Sequence, residues 1–124
     1  GRYGPLPLLV GVMSTARGAV RRRMIRSSWM RWEGAGRDHV VCFALGGEGV
    51  GRPRQRQIAA NEPADVLWLR DVSDAGVLSI HKVWAWWRLA ATWRGVTHVA
   101  KTDDDAFLHL PNLLADLSRL ACVP

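Results

Sequence analysis

Four short runs of apolar residues, at positions 7–13, 39–45, 65–69 and 98–100, alternate with longer polar or amphipathic stretches along the chain. Within each run the residues are apolar at nearly every position rather than at every second one. That pattern is typical of strands buried on both faces of a sheet, which occur in parallel sheets covered by helices.

The stretches between these runs predict the covering helices. We expect helices over residues 16–32, over 77–93 and from Pro111 onwards, where apolar residues recur at helical spacing. The Gly- and Arg-rich segment 46–57 predicts a loop, and 71–76 predicts a turn. The alternation of strands and helices predicts an α/β fold, a Rossmann-like parallel sheet of about four strands with helices on both faces.

Composition supports a folded protein of a single domain, residues 1–124. The chain has 124 residues, of which 48% are hydrophobic and seven are Trp, so disorder is excluded as a description of the whole. No uncharged apolar stretch approaches the roughly 20 residues that a membrane-spanning helix needs. The start has no signal-peptide pattern, so any targeting segment is expected outside these residues.

The positive charge of the chain is unevenly placed. The net charge is +6, yet the first 62 residues carry 11 basic and four acidic side chains, whereas the remainder is slightly acidic. A basic half facing carboxylates is suited to a polyanion, either nucleic acid or a diphosphate bridged by a metal ion. Cys42 and Cys122 match no metal-ligand spacing and leave the redox compartment open.

Three consecutive aspartates, Asp103 to Asp105, follow the last apolar run. In extended backbone the side chains of Asp103 and Asp105 lie on one face, about 6.6 Å apart, and Asp104 points away. Carboxylates at a strand end suit Mg²⁺ or Mn²⁺. A calcium EF-hand is excluded, since Leu108 and Leu114 stand where Gly and Glu are required. A solvated acidic turn remains the alternative.

An arginine run, Arg21 to Arg23 followed by Arg26, begins after the first predicted strand. Arg22 and Arg26 are one helical turn apart, and the guanidinium fork binds two oxygens of a diphosphate at once. A solvated basic helix face is the alternative. Nucleic-acid binding is less favoured, because the Trp residues are not interleaved with the arginines and no nucleic-acid module signature is present.

The order and spacing of these motifs resemble the β1,3-galactosyltransferase family of GT-A glycosyltransferases. The matching segments are RRRMIRSSW at 21–29, FALG at 43–46, the aspartates at 65, 71 and 74 with Lys82, and KTDDDAF at 101–107, which contains the DxD motif. Ser28 replaces the usual Thr, and the family's Tyr, Asn and Thr are absent between residues 74 and 82. Catalytic domains of the family are about twice as long. The sequence is therefore expected to be the nucleotide-sugar-binding half, without the acceptor half.

The resemblance implies an inverting transfer of a hexose, galactose or N-acetylglucosamine, from a UDP-sugar to a sugar or protein hydroxyl in β1,3 linkage. Mn²⁺ or Mg²⁺ would be held by Asp103 and Asp105, with Lys82 and Lys101 as possible supports of the acidic cluster. The catalytic base is expected in the missing half and is not assigned. Residues implied in nucleotide binding are Thr15, Arg22, Arg26, Asp71, Asp103 and Asp104.

Further expectations follow from the same resemblance. The partners would be a UDP-sugar donor and a glycan or glycoprotein acceptor, not nucleic acid, and this half alone would be inactive in transfer. The location would be the Golgi lumen, in a single-pass type II membrane protein whose anchor lies outside this chain. Trp86 and Trp93 would contact the missing half, whereas the helical spacing of the apolar residues predicts that Trp84 and Trp87 are core residues. Two other classes stay open, a basic polyanion-binding or nucleic-acid-binding module and a metal-dependent phosphoryl-transfer enzyme.

Overall fold

The computed structural model of the chain describes residues 6–75 and 79–120. Strands and helices alternate from end to end, and a short 3-10 helix, Trp29–Arg31, follows the first helix. The elements are β1 Leu6–Met13, α1 Ala19–Arg26, β2 His39–Glu48, α2 Arg52–Asn61, β3 Val66–Ser73, α3 Ser79–Ala90, β4 Val96–Asp103 and α4 Leu110–Leu120. None of the helices in the described ranges is long and apolar enough to cross a bilayer.

The four strands form one parallel sheet in the order β3-β2-β1-β4. Met13 at the end of β1 pairs with Ala44 of β2 on one side and with Asp103 of β4 on the other. Strands β2 and β3 extend the sheet in one direction, and β4 crosses back to the other side of β1. The direction of strand addition therefore reverses between β1 and β4. This confirms the predicted α/β class with a parallel sheet of four strands.

Both faces of the sheet are buried under helices. Alternate residues of β1 point to opposite faces, so Leu8 and Val10 pack on one side and Leu9 on the other. The first face is covered by α1, α2 and α4, with Phe43 at its centre, and the second is covered by α3. Burial on both faces explains why the strands read as continuous apolar runs.

The predicted loop at 46–57 is wrong. Strand β2 continues to Glu48, and α2 begins at Arg52 with Pro53 in its first turn, a position that proline favours. Gly49, with φ +83°, makes the turn between them. Helix α2 buries only Ile58 fully, so it has too little apolar periodicity to be seen in the sequence.

The ends of other helices and strands also differ from the predicted positions. The helix predicted over 16–32 is confined to α1 and the following 3-10 turn, because the chain first forms a turn after β1. Strand β3 continues through Ser73 into the predicted turn 71–76, whose last residue lies outside the described ranges. Helix α3 ends at Ala90 rather than at 93, and residues 77 and 78 also lie outside.

The predicted roles of three tryptophans on α3 are reversed. Trp86 is 0% exposed, packs against Gly11 of β1 and donates its indole N–H to the Ala100 carbonyl at 3.2 Å. Trp84 is 64% exposed and Trp87 38%. Because α3 is aromatic around much of its circumference, the sequence pattern alone does not fix which side faces the sheet. The buried stripe runs through positions 82, 86 and 90.

Candidate functional site

A cleft of about 460 Å³ lies at the carboxyl ends of β1 and β4. Ligands of open α/β sheets bind at this edge, where the order of strands reverses. Five chain segments converge there, from the ends of β1, β3 and β4, from the start of α1 and from Lys82 of α3. The lining residues are Met13, Ser14, Thr15, Arg17, Gly18, Arg21, Ser73, Asp74, Lys82, Asp103, Asp104 and Asp105.

All three consecutive aspartates line this acidic cleft. Strand β4 ends at Asp103, and the next two residues form a turn in which the Ala106 N–H donates to the Asp103 carbonyl at 3.2 Å. The two-residue alternation of a strand therefore does not extend beyond Asp103. Asp104, expected to point away, instead accepts a hydrogen bond from Arg21 at 3.0 Å, and its side chain is only 12% exposed.

The other two aspartates are more accessible. Asp103 is 63% exposed and its contact with Lys101 is long, at 3.3 Å. Asp105 is exposed and has no hydrogen-bond or ion-pair partner among the described residues. The carboxylates of Asp103 and Asp105 therefore line the cleft without a strong hydrogen bond or ion pair to the described residues.

The carboxylates of the acidic cleft fit a metal ion that also coordinates a bound ligand, not one coordinated by protein side chains alone. Within residues 6–75 and 79–120, no three side chains of His, Cys, Asp or Glu converge as a metal-binding group. Mg²⁺ commonly takes only one or two carboxylates and completes its coordination with waters and substrate phosphates. Asp103 and Asp105 could supply these two carboxylates.

A buried lysine, Lys82, connects α3 to the ends of β1 and β3 beneath the cleft. The Lys82 ammonium on α3 pairs with Asp74 and donates to the Ser14 carbonyl at the end of β1. Asp74 also accepts a hydrogen bond at 2.8 Å from the Gly46 N–H of β2. Lys82 therefore supports the site as the sequence suggested, but its carboxylate partner is Asp74 rather than the consecutive aspartates.

Arg22 lies outside the cleft, in the protein interior. Its guanidinium donates to both carboxylate oxygens of Glu62, at 2.6 and 2.7 Å, and to the Ser14 hydroxyl and Thr15 carbonyl. The hydrogen bond from Arg22 holds the pKa of Glu62 below its ordinary value. With its donors directed inward, Arg22 positions residues 14 and 15 from behind rather than facing a ligand.

Arg26 is also paired inside the structure. It donates to both oxygens of Asp65, at 2.8 and 2.6 Å, lies 3.0 Å from Glu62 and stacks over the Phe43 ring. Like Arg22, it does not line the acidic cleft, so the geometry does not support the predicted diphosphate contacts of these two arginines. Asp71 is likewise apart, in a groove between β3 and α3.

Among the described residues, Arg17 and Arg21 are the arginines that line the cleft. Arg21 belongs to the run that the sequence singled out, but adjacent residues on a helix face different directions, and the burial of Ile25 and Trp29 sets which one turns inward. Gly18 was not predicted. A Cβ at that position would lie 2.8 Å from the Ser14 hydroxyl oxygen and 3.2 Å from an Asp104 oxygen, so glycine permits their close approach.

The structure thus brings Thr15, Asp103, Asp104 and Asp105 together and leaves Arg22, Arg26 and Asp71 outside. Among models of known protein families, none matches this chain. The resemblance to the β1,3-galactosyltransferases therefore rests on the motifs.

Proposed function

We propose that the acidic cleft binds the diphosphate of a UDP-sugar together with a divalent cation, in the donor half of an inverting hexosyltransferase. The observation that carries this proposal is the placement of two accessible carboxylates, Asp103 and Asp105, at the strand-order reversal of a parallel sheet. The motif resemblance to β1,3-galactosyltransferases supports the choice of a nucleotide sugar over other phosphate ligands.

Each group in the cleft has a defined part in this proposal. Asp103 and Asp105 would hold Mn²⁺ or Mg²⁺, which would supply positive charge to stabilise the diphosphate leaving group. Arg17 and Arg21 line the cleft with positive charge, that of Arg21 being paired with Asp104, and Thr15 offers an exposed hydroxyl for the nucleotide. Asp74 is paired with Lys82 and is unsuited to act as a base toward an acceptor. No base is assigned within the described residues.

Titration with UDP, with and without Mn²⁺, tests the proposal. We expect binding that requires Mn²⁺ and that weakens at least tenfold in Asp103→Asn and in Asp105→Asn, since each loses a charged ligand. Asp116→Asn on α4 removes the same charge from an exposed position away from the cleft and should leave the affinity unchanged. UDP binding that ignores Mn²⁺, or that survives both cleft substitutions, would contradict the proposal.

A further inference from the structure

A second cleft, of about 450 Å³, lies between α2 and the edge strand β3. Among the described residues that line it are three arginines and one tryptophan, and none of them is acidic. We call it the basic cleft, defined by Gly47, Arg52, Gln55, Arg56, Trp68 and Arg70.

The three arginines of the basic cleft are not neutralised. The side chains of Arg52, Arg56 and Arg70 make no hydrogen bond or ion pair within the part of the chain that the structure describes. Arg22 and Arg26, by contrast, are fully engaged with carboxylates. Several unpaired cations around one concavity raise the local positive potential and attract anions.

Internal hydrogen bonds hold the backbone of the basic cleft in place before any ligand binds. The Val50 N–H donates to the Gly47 carbonyl at 3.1 Å, and the Gln55 side-chain amide donates to the Val50 carbonyl at 2.9 Å, which fixes the turn into α2. Arg52 and Arg56 are four residues apart, on the same side of α2. A ligand would therefore meet a surface whose backbone is already ordered, which reduces the entropic cost of binding.

Trp68 and Arg70 complete the cleft from the sheet. They are two residues apart on β3, and both line the cleft. Guanidinium groups pair with carboxylate, sulfate or phosphate oxygens, and an indole ring packs on the C–H face of a sugar. The combination suits a single compact unit that is both anionic and ring-shaped.

We propose that the basic cleft binds a sugar carrying an oxyanion, as a carboxylate, sulfate or phosphate. Gly47 lies beyond the level of Met13 in the strand register, so this cleft opens at the same edge of the sheet as the acidic cleft. Two strand spacings separate them, roughly 10 Å. A sugar held there belongs to the acceptor of the transfer, an assignment that rests on the proposed function.

A nucleic-acid strand fits these observations less well. Proteins that bind single strands use a basic groove with aromatic residues spaced for successive bases. The described lining of the basic cleft includes one tryptophan in a volume of about 450 Å³, so it accommodates one anionic unit rather than a continuous backbone.

Direct binding of defined oligosaccharides at physiological salt tests the inference without any donor or metal. The probes are a hyaluronan tetrasaccharide for carboxylate, a chondroitin sulfate tetrasaccharide for sulfate and mannose 6-phosphate for phosphate, with chitotetraose as the neutral control. We expect at least one anionic probe to bind and chitotetraose not to bind. Arg52→Gln/Arg56→Gln should weaken that binding at least tenfold, and Arg70→Gln should also weaken it.

A charge-matched pair elsewhere controls for general electrostatics. Arg31→Gln/Arg94→Gln removes the same charge from exposed residues that line neither cleft, and it should change the affinity less than twofold. Equal losses in the two double variants would overturn the inference. So would a (dT)12 oligonucleotide that binds more tightly than every sugar and displaces them through the same arginines.

The experiments test the nucleotide site in the acidic cleft and the anionic-sugar site in the basic cleft independently of each other. If UDP binds with Mn²⁺ but no anionic sugar binds, the basic cleft is not a sugar site and the donor proposal stands. If sugars bind through Arg52 and Arg56 but UDP does not bind, the anionic-sugar site is supported and its assignment to a transfer acceptor is overturned.

Discussion

Arg22 places a guanidinium in the interior, where a charge is stable only when paired. Its donors satisfy Glu62 and Ser14, so replacement by an apolar residue leaves a nearly buried carboxylate with fewer partners. We expect Arg22→Met to lower the free energy of unfolding by about 3 kcal/mol. Urea denaturation measures the loss.

The neighbouring Arg21 provides the control for that prediction. Its side chain is 59% exposed and forms one ion pair, with Asp104, so Arg21→Met should cost less than about 1 kcal/mol. Similar losses in the two variants would show that the buried network is not what stabilises this region.

His39 predicts a pH dependence of stability. The ring is buried, neither nitrogen has a partner among the described residues, and burial lowers its pKa below the ordinary 6.5. The folded state therefore resists protonation, and stability present above pH 6.5 is lost as the pH falls toward the lowered folded value.

His39→Leu removes that titration and two unpaired polar atoms. Its free energy of unfolding should vary less between pH 7.5 and 5.5 than that of the unaltered protein. His81→Gln, at an exposed position on α3, should keep the original slope. Urea denaturation at several pH values compares them, and an unchanged slope in His39→Leu would refute the assignment.

At the residue scale, the sequence predicted the aspartates of the acidic cleft but not the partners of the arginines. Asp103 to Asp105 follow a strand directly, so local sequence places them at the sheet edge. The role of Arg22 depends on Glu62, 40 residues later along the chain, and on the rotation of α1. Neither is encoded in the local spacing of the arginine run.

The contact between β1 and α3 depends on one glycine. Gly11 faces the Trp86 indole so closely that any Cβ would overlap its ring. We expect Gly11→Ala to destabilise the fold by about 1–3 kcal/mol through overpacking. Combining Gly11→Ala with Trp86→Leu should recover part of the loss, because the smaller side chain makes room.

A double-mutant cycle measured by urea denaturation isolates this coupling. Additive losses from the two substitutions would mean that Gly11 and Trp86 act independently. Gly51→Ala gives a comparison at a turn where a Cβ would meet only ordinary contacts, at 3.6 Å.

At the element scale, strands were easier to predict than helices. Burial on both faces makes each central strand apolar throughout, a signal that few other structures produce. Helix α2 contacts the core mainly through Ile58, and α3 has aromatic residues on several sides. One helix therefore has too little periodicity, and the other too much apolar surface, for its buried face to be predicted.

At the scale of the whole molecule, the chemical reactivity of the Cys42 thiol measures how rarely the core unfolds. Its thiol is buried between the sheet and α3, and burial raises its pKa to about 12. In a Cys122→Ser background, we expect iodoacetamide at pH 8 to modify native protein at least about 1000-fold more slowly than denatured protein, because reaction requires unfolding of the core. Mass spectrometry measures the rates. Rapid modification of the native protein would contradict burial of this thiol.

The sheet order also determines the stage of folding at which the acidic cleft forms. The Thr97 hydroxyl of β4 donates to the Pro7 carbonyl of β1 across 90 residues of sequence, whereas β2 joins β1 through a much shorter connection. Closing the longer loop is slower, and β4 also leaves the ribosome after β1, β2 and β3. A nascent chain can thus have three strands paired and still lack the carboxylates of its site. A ligand of the cleft has nothing to bind until β4 docks, and it acts afterwards by slowing the departure of that strand.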